Sequence, residues 1–409
     1  MVIYRSFYDA LETRSADERA ADLAKALPEQ IERAQSIDGY RNDLAEIDPK
    51  SITSASDLPK LPILRKSDLV AAQHANPPFG GYTVKPAHAY GHIFQSPGPI
   101  YEPGETTRDW WCMGRFLHAL GIGRADIVQN CFGYHLTPAG MIFESGARAV
   151  GASVVPAGVG QTELQVTAAR DIGATAYAGT PDYLKLILDK ADDVGVTLRF
   201  SKAAVGGGYL SPALRDMYSE RGITCLQCYA TADLGNIAYE SSSTSGLITD
   251  EHVIVEIVTP GTGDPVNPGE VGEVIVTTLN PDYPLIRFAT GDLSAVLAGE
   301  SPCGRTNLRI AGWMGRADQI TKIKGMFVRP EQVAKLVAAH EEIKKVRVIV
   351  RRDNELDVMT VKVEATGGDA ERFAGSVSEA LRLNGTIEVC PVGTLPNDGI
   401  VIEDQRQYE

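Results

Sequence analysis

Between residues 127 and 229 the chain alternates short apolar runs with amphipathic stretches, and this alternation narrows the fold more than any other feature. The runs at 127–131, 152–156, 174–179 and 222–229 read as strands. The stretches at 140–150, 162–171, 181–191 and 211–221 read as helices, with Gly and Pro gathered at the seams. Strands separated by helices cannot pair as hairpins, so they predict parallel βαβ units. An amphipathic helix is expected upstream at 16–35, split or kinked at Pro28 because proline removes an interior N–H. Downstream, residues 252–298 carry two β-rich runs, 252–259 and 272–278, joined by a Gly/Pro/Asp loop; these predict an antiparallel, barrel-like piece.

The texture changes again after Lys324-Gly325. Pro330 suits a first helical turn, and a helix at 331–343, strands at 346–350 and 356–363, a helix at 369–384 and a strand at 386–390 follow. A unit of about eighty-five residues is large enough to fold alone. The expected architecture is therefore α/β: a large N-terminal domain over 1–317 with a β-barrel-like portion, and a small C-terminal α+β domain over 318–409.

Composition excludes several functions. With 39 Lys+Arg against 53 Asp+Glu the net charge is −14, the wrong sign for a surface that neutralises nucleic-acid phosphates. A local cluster of donors can still hold a small anionic ligand. The first residues mix Tyr4, Arg5, Asp9, Glu12 and Arg14 with no apolar core behind a basic end, and no apolar run approaches the ~18 residues of a membrane span. Six scattered cysteines fit reduced thiols, so a cytoplasmic protein is expected. Cys225 and Cys228 have a redox or zinc spacing but no second ligand pair, and read as small packed residues on a buried strand.

Three clusters stand at the ends of expected strands, where α/β folds place ligands. In Val205-Gly206-Gly207-Gly208-Tyr209 the glycines let backbone approach a flat or charged group. In Tyr229-Ala230-Thr231-Ala232-Asp233 a hydroxyl and a carboxylate two residues apart can serve a phosphate and its Mg²⁺. In Arg287-Phe288-Ala289-Thr290-Gly291-Asp292 a buried carboxylate could accept both hydroxyls of a ribose. Each taken alone reads equally as a turn.

Taken in order, with Gly315-Arg316-Ala317-Asp318 and Lys322-Ile323-Lys324-Gly325, these clusters resemble the successive core motifs of the adenylate-forming (acyl-CoA synthetase) superfamily. Leu61-Pro62-Ile63-Leu64-Arg65-Lys66-Ser67-Asp68-Leu69 and Ser301-Pro302-Cys303-Gly304-Arg305-Thr306 are similar to elements of its phenylacetate–CoA ligase branch. The resemblance implies an ATP-dependent ligase that activates a carboxylic acid, aryl by class, as an acyl-adenylate and transfers it to coenzyme A. It implies that Gly207 and Gly208 line the adenine and Tyr229 stacks on it. Thr231 would bond the α-phosphate, Asp233 would hold Mg²⁺, Asp292 would bind the ribose, and Arg316 would bridge ribose and phosphate. Asp318 would be the hinge of a mobile C-terminal domain and Gly325 part of the thioester loop. Ser96 and Gly98 would belong to the phosphate loop; Phe132, Tyr134 and Ala230 would line the acyl pocket. His135, beside them, could pair with a carboxylate or sit in the core. The implied partners are a small carboxylic acid and coenzyme A, with no nucleic acid and no membrane; a homodimer is compatible.

Three departures from the family pattern bear on chemistry. The stretch Gln95-Ser96-Pro97-Gly98-Pro99-Ile100-Tyr101-Glu102 stands for a Ser/Thr/Gly-rich phosphate loop, yet its prolines lack N–H donors and Glu102 adds a negative charge. Ile400 or Val401 stands where the family has a C-terminal Lys. Glu240-Ser241-Ser242-Ser243 and Gly246-Leu247-Ile248 lack the Cys and His that accompany Cys303 in some relatives, so no structural zinc is expected. These departures leave two other readings: an enzyme keeping only the thioester-forming half-reaction, and a catalytically impaired relative that binds nucleotide or acyl groups.

Overall fold

The computed structural model describes residues 7–97, 99–106, 109–208, 210–241, 246–317, 321–323, 326–353, 356–396 and 400–406. The chain divides into two compact units. One comprises 1–255, 276–288 and 297–312; the other comprises 256–275, 289–296 and 313–409. The second unit thus takes in two β-rich pieces besides the C-terminal stretch, and Asp318 lies outside the described residues.

The first unit is built on an eight-stranded sheet. In spatial order its strands are Ser153–Pro156, Ile127–Asn130, Ala176–Gly179, Lys202–Val205, Thr224–Thr231, Gly235–Tyr239, Leu247–Thr249 and Arg309–Ile310. The first five are parallel, as the alternation predicts, and the last three continue antiparallel. Helices Ala139–Ala149, Thr162–Ile172, Pro181–Asp193 and Pro212–Glu220 make the crossovers. Tyr177, Leu184, Ile187, Ala203, Val205 and Tyr218 are fully buried in one cluster under this sheet. Cys225 packs in the same cluster, where burial pushes its thiol up to about 12, and Cys228 is buried too. Both are small apolar packing residues here.

Two local features differ from expectation. Helix Ala16–Gln35 runs unbroken through Pro28, opened by a Ser15–Glu18 capping box. Its inner face, with Leu27, Ile31 and Ala34, is buried, and Gln30 Nε2 donates to the Thr278 and Asn280 carbonyls at 2.8 Å each. Tertiary burial here offsets the ~3 kcal/mol that an interior proline costs. Residues 92–104, expected to hold a phosphate loop, form an antiparallel hairpin of His92–Ser96 and Ile100–Gly104. Ser96 pairs with Ile100 at the closed end of the hairpin.

The β-rich stretch is one four-stranded sheet, in the order Leu64–Arg65, Phe288–Ala295, Val271–Thr278, Val253–Val258. The chain passes from one unit to the other within each of the last three strands.

The second unit carries its own core. Its sheet runs Thr386–Cys390, Leu356–Ala365, Ile343–Asp353, Ile402–Asp404, with the central pair antiparallel and both edges parallel. Helices Pro330–Ala338 and Ala370–Leu381 bury Val333, Leu336, Phe373, Val377 and Leu381 against it. The first helix stops earlier than expected because Ile343 already pairs with Ala365 as strand.

Candidate active site

Three loops leave the C-terminal ends of strands in the parallel part of the eight-stranded sheet. Lys202–Val205 leads into Gly206-Gly207-Gly208 and then helix Pro212–Glu220, whose N-terminus is capped by Ser211 Oγ accepting from the Leu214 N–H at 3.2 Å. Gly207 has φ 67°, a conformation that favours glycine, and a Cβ there would lie 3.8 Å from the Phe132 ring. A Cβ on Gly208 would lie 3.2 Å from Pro181 Cδ.

The loop after Ile127–Asn130 supplies the aromatics. Phe132 is buried and stacks on Phe143 at 4.2 Å between ring centres. Asn130 Nδ2 donates to the Tyr134 hydroxyl at 2.8 Å. Burial first, then Glu144, pushes the Tyr134 hydroxyl's pKa up. His135 is exposed, so it is not the core residue that one reading allowed. The loop bonds to the 92–104 hairpin through the Gln95 N–H and Leu136 carbonyl at 2.9 Å.

The strand Thr224–Thr231 runs two residues beyond expectation and carries Thr231 to its end. Tyr229 is buried and pairs with Ala238, and a register irregularity follows before Ala230. Thr231 Oγ1 accepts from the Leu234 N–H at 3.2 Å, closing the turn that presents Asp233. Gly235, φ 74°, ends that turn so close to Trp111 that a Cβ would sit 2.7 Å from the Trp111 carbonyl oxygen. The Asp233 side chain is fully buried, with Oδ2 3.0 Å from Lys66 Nζ. Its Oδ1 has no hydrogen-bond partner. A carboxylate held by one oxygen and open at the other fits an oxygen-seeking divalent cation such as Mg²⁺.

Three residues join this site that the motif reading left without a role. Lys66 comes from the Leu-Pro…Lys-x-Asp-Leu element, and its position in that motif was the available signal. Glu102 is buried on the hairpin and accepts a hydrogen bond from Ser96 Oγ, so the Ser96 hydroxyl is engaged within the protein. Burial, and then the charge of Asp233, pushes Glu102 up to about 8. Tyr283 is buried with its hydroxyl unpartnered, and burial, Asp233 and Glu102 raise its pKa. Nothing local marks Tyr283 in the sequence. Gly98 lies outside the described residues.

In the second unit, Asp292 Oδ1 accepts from Arg316 Nη1 at 3.0 Å and from Trp313 Nε1 at 3.1 Å. The Asp292 N–H donates to Thr290 Oγ1 at 3.2 Å, and Asp292 and Arg316 form a β-bridge. The sequence elements Thr290-Gly291-Asp292 and Gly315-Arg316 are therefore one structural group. Trp313 was not foreseen. Ile400 and Val401 line an apolar cleft with Val333, Val337 and Val271, and Gly325 lies outside the described residues.

Two clusters contain cysteine beside other polar side chains. Cys303 Sγ lies 3.1 Å from Ser301 Oγ and accepts from Arg305 at 3.7 Å. Burial raises its pKa, but hydrogen bonds from Ser241, Ser301 and Arg305 outweigh this and lower it. Cys112, Asp250 and His252 bring ligand atoms within 4.8 Å of one another. There, however, Arg115 Nη1 lies 3.0 Å from Asp250 Oδ1 and 2.9 Å from His252 Nδ1, so a guanidinium already supplies the positive charge.

No protein-family model matches the chain. Curated proteins do. The phenylacetate–coenzyme A ligase of Thermus thermophilus is 32% identical over 342 residues, spanning 79% of this chain and 76% of that protein. The chain belongs to the phenylacetate–coenzyme A ligase family. The Escherichia coli member of this ligase family is 31% identical over 379 residues, 87% of this chain and 84% of that one. Among solved structures, 2-hydroxyisobutyryl-CoA ligase in an open conformation with 2-HIB-AMP and CoA superposes with a TM-score of 0.71. It is 22% identical and covers 94% of this chain and 91% of its own, which shows the shared fold. As a phenylacetate–coenzyme A ligase family member the chain is an AMP-forming acid–thiol ligase. Among its described residues no helix is long and apolar enough to cross a membrane.

Proposed function

We propose that this ligase activates an aryl carboxylic acid with ATP and passes the acyl group to coenzyme A in the cytoplasm. The substrate carboxylate attacks the α-phosphorus and pyrophosphate leaves; the thiol of coenzyme A then attacks the acyl carbonyl and AMP leaves. Both steps place negative charge on phosphate oxygens, which preorganised donors stabilise. The observation that carries the reading is the turn after Thr224–Thr231, where Thr231 and the buried Asp233 stand beside Lys66 in a chain of this family.

In this reading Gly207, Gly208 and Tyr229 hold the adenine, Thr231 the α-phosphate and Asp292 the ribose, and Arg316 bridges ribose and phosphate. Phe132, Tyr134 and Ala230 receive the aryl group. Asp233 holds Mg²⁺, which when bound supplies Lewis-acid neutralisation of phosphate oxygens. Ser96 and Gly98 border the polyphosphate. Residues 318–409 move as a small domain about Asp318 to bring Gly325 into the thioester step. A homodimer is compatible with the reading. Pyrophosphate exchange with a panel of aryl acids tests it, and no exchange from folded protein with any acid counts against it.

A second reading, retention of the thioester half-reaction alone, draws on one feature. Between the paired residues Ser96 and Ile100 the sequence carries two prolines, Pro97 and Pro99, and the Ser96 hydroxyl is engaged by Glu102. Synthetic acyl-AMP with coenzyme A separates the two: thioester without exchange favours the second reading, and failure of both excludes it.

A further inference from the structure

Trp313 is 55% exposed, whereas Trp110 and Trp111 are buried. A ring of this size gains most from burial, so an indole left open to solvent contributes little to a core. Its polar edge is nevertheless committed inward. Trp313 Nε1 donates to Asp292 Oδ1 at 3.1 Å, and Arg316 Nη1 donates to the same oxygen at 3.0 Å. All three residues belong to the second unit.

The backbone makes this convergence possible. Residues 313–317 run beside the strand Phe288–Ala295. The Met314 N–H donates to the Leu293 carbonyl at 2.9 Å, the Leu293 N–H to the Gly315 carbonyl at 2.9 Å, and the Ala317 N–H to the Gly291 carbonyl at 2.7 Å. In a regular strand residues three apart face opposite sides. Gly315, φ 123°, breaks that alternation, so Trp313 and Arg316 both reach Asp292. The last torsion of an aspartate is broad, and one donor alone fixes its carboxylate poorly. Two donors arriving on one oxygen from separate side chains restrict that rotation.

We propose that Trp313 is a positioning residue for the nucleotide. With Arg316, its N–H orients the Asp292 carboxylate to accept the ribose hydroxyls, and so makes the site prefer a ribonucleotide to its 2′-deoxy analogue. The proposal rests on the reading of Asp292 as the ribose ligand and adds the group that sets its geometry. A hydrogen bond depends on direction as well as distance. A carboxylate that turns still accepts one hydroxyl but loses the simultaneous fit to two, which is what separates ribose from deoxyribose. Arg316 is half exposed and in this reading also serves the phosphate, so the indole N–H is the donor dedicated to the carboxylate.

The test is calorimetric titration of the full chain with AMP and with 2′-deoxy-AMP, which requires no adenylation. Trp313→Phe keeps a ring and removes the N–H. It should weaken AMP binding by about three- to tenfold and 2′-deoxy-AMP binding less, so that the ratio of the two affinities falls. An equal loss for both nucleotides marks a merely structural role and overturns the proposal, as does an unchanged affinity for AMP. Should W313F fail to melt like the unmodified chain, W313L, which also lacks the N–H, is titrated in its place with the same outcomes. Asp292→Ala separates the two claims. If D292A leaves AMP affinity unchanged, or the unmodified protein binds neither nucleotide, the ribose reading falls and the proposal with it. If D292A weakens AMP binding while W313F leaves the affinity ratio unaltered, only the proposal falls.

Discussion

Replacing Asp292 tests the nucleotide reading in the second unit most directly. Its carboxylate is largely buried, with a side chain 10% exposed, whereas Arg316 is 50% exposed. The Asp292–Arg316 ion pair is therefore solvent-screened on one side and contributes about 0–1 kcal/mol to folding. A ligand hydroxyl donating to the buried carboxylate gains more, about 1.5–3 kcal/mol for a hydrogen bond to a charged group. Asp292→Ala should thus weaken AMP binding by about ten- to a hundredfold, at about 1.4 kcal/mol per decade, while leaving stability almost unchanged. Asp292→Asn keeps an acceptor near Trp313 and Arg316 but loses the charge, and should fall between the two. Isothermal titration with AMP reads the affinity, and tryptophan emission reports the local change, since Trp313 Nε1 donates to Asp292. Unchanged AMP affinity in both folded variants would refute the assignment of Asp292 to the ribose.

Three further outcomes follow from the geometry. Gly235→Ala forces a left-handed φ on alanine and a 2.7 Å contact with the Trp111 carbonyl, and should destabilise by about 2–5 kcal/mol in urea unfolding. Glu12 is fully buried and accepts from Arg305 and, at 2.7 Å, from the Tyr239 hydroxyl; Glu12→Gln should cost about 3–5 kcal/mol, measured the same way. Burial raises the Asp126 pKa, but Lys202, the Gly123 N–H and Thr175 outweigh it, so the folded value is lowered. Its stabilisation is complete above the ordinary carboxylate value near ~4 and is lost as pH falls through the folded value, so Asp126→Asn should flatten the acid limb of the stability–pH curve.

The parallel strands and their crossovers were legible because apolar periodicity is a local property that survives into the fold. So were the clusters Gly206–Gly208 and Tyr229–Asp233, which stand at strand ends; Thr290–Asp292, expected at a strand end too, lies instead inside strand Phe288–Ala295. The limits are equally physical. Pro28 reads as a break, and only the burial of Leu27, Ile31 and Ala34 keeps its helix whole. Residues 95–104 read as a loop because two prolines mask the pairing of Ser96 with Ile100.

The sequence by itself determined the class of fold and the order of the motifs. Only the tertiary structure decided what the residues of those motifs face. Lys66 meets Asp233 across 167 positions of chain. Such pairings depend on which strands lie side by side and how far each is buried. No local pattern encodes that, because the free energy of a buried charge is set by neighbours that only folding brings together.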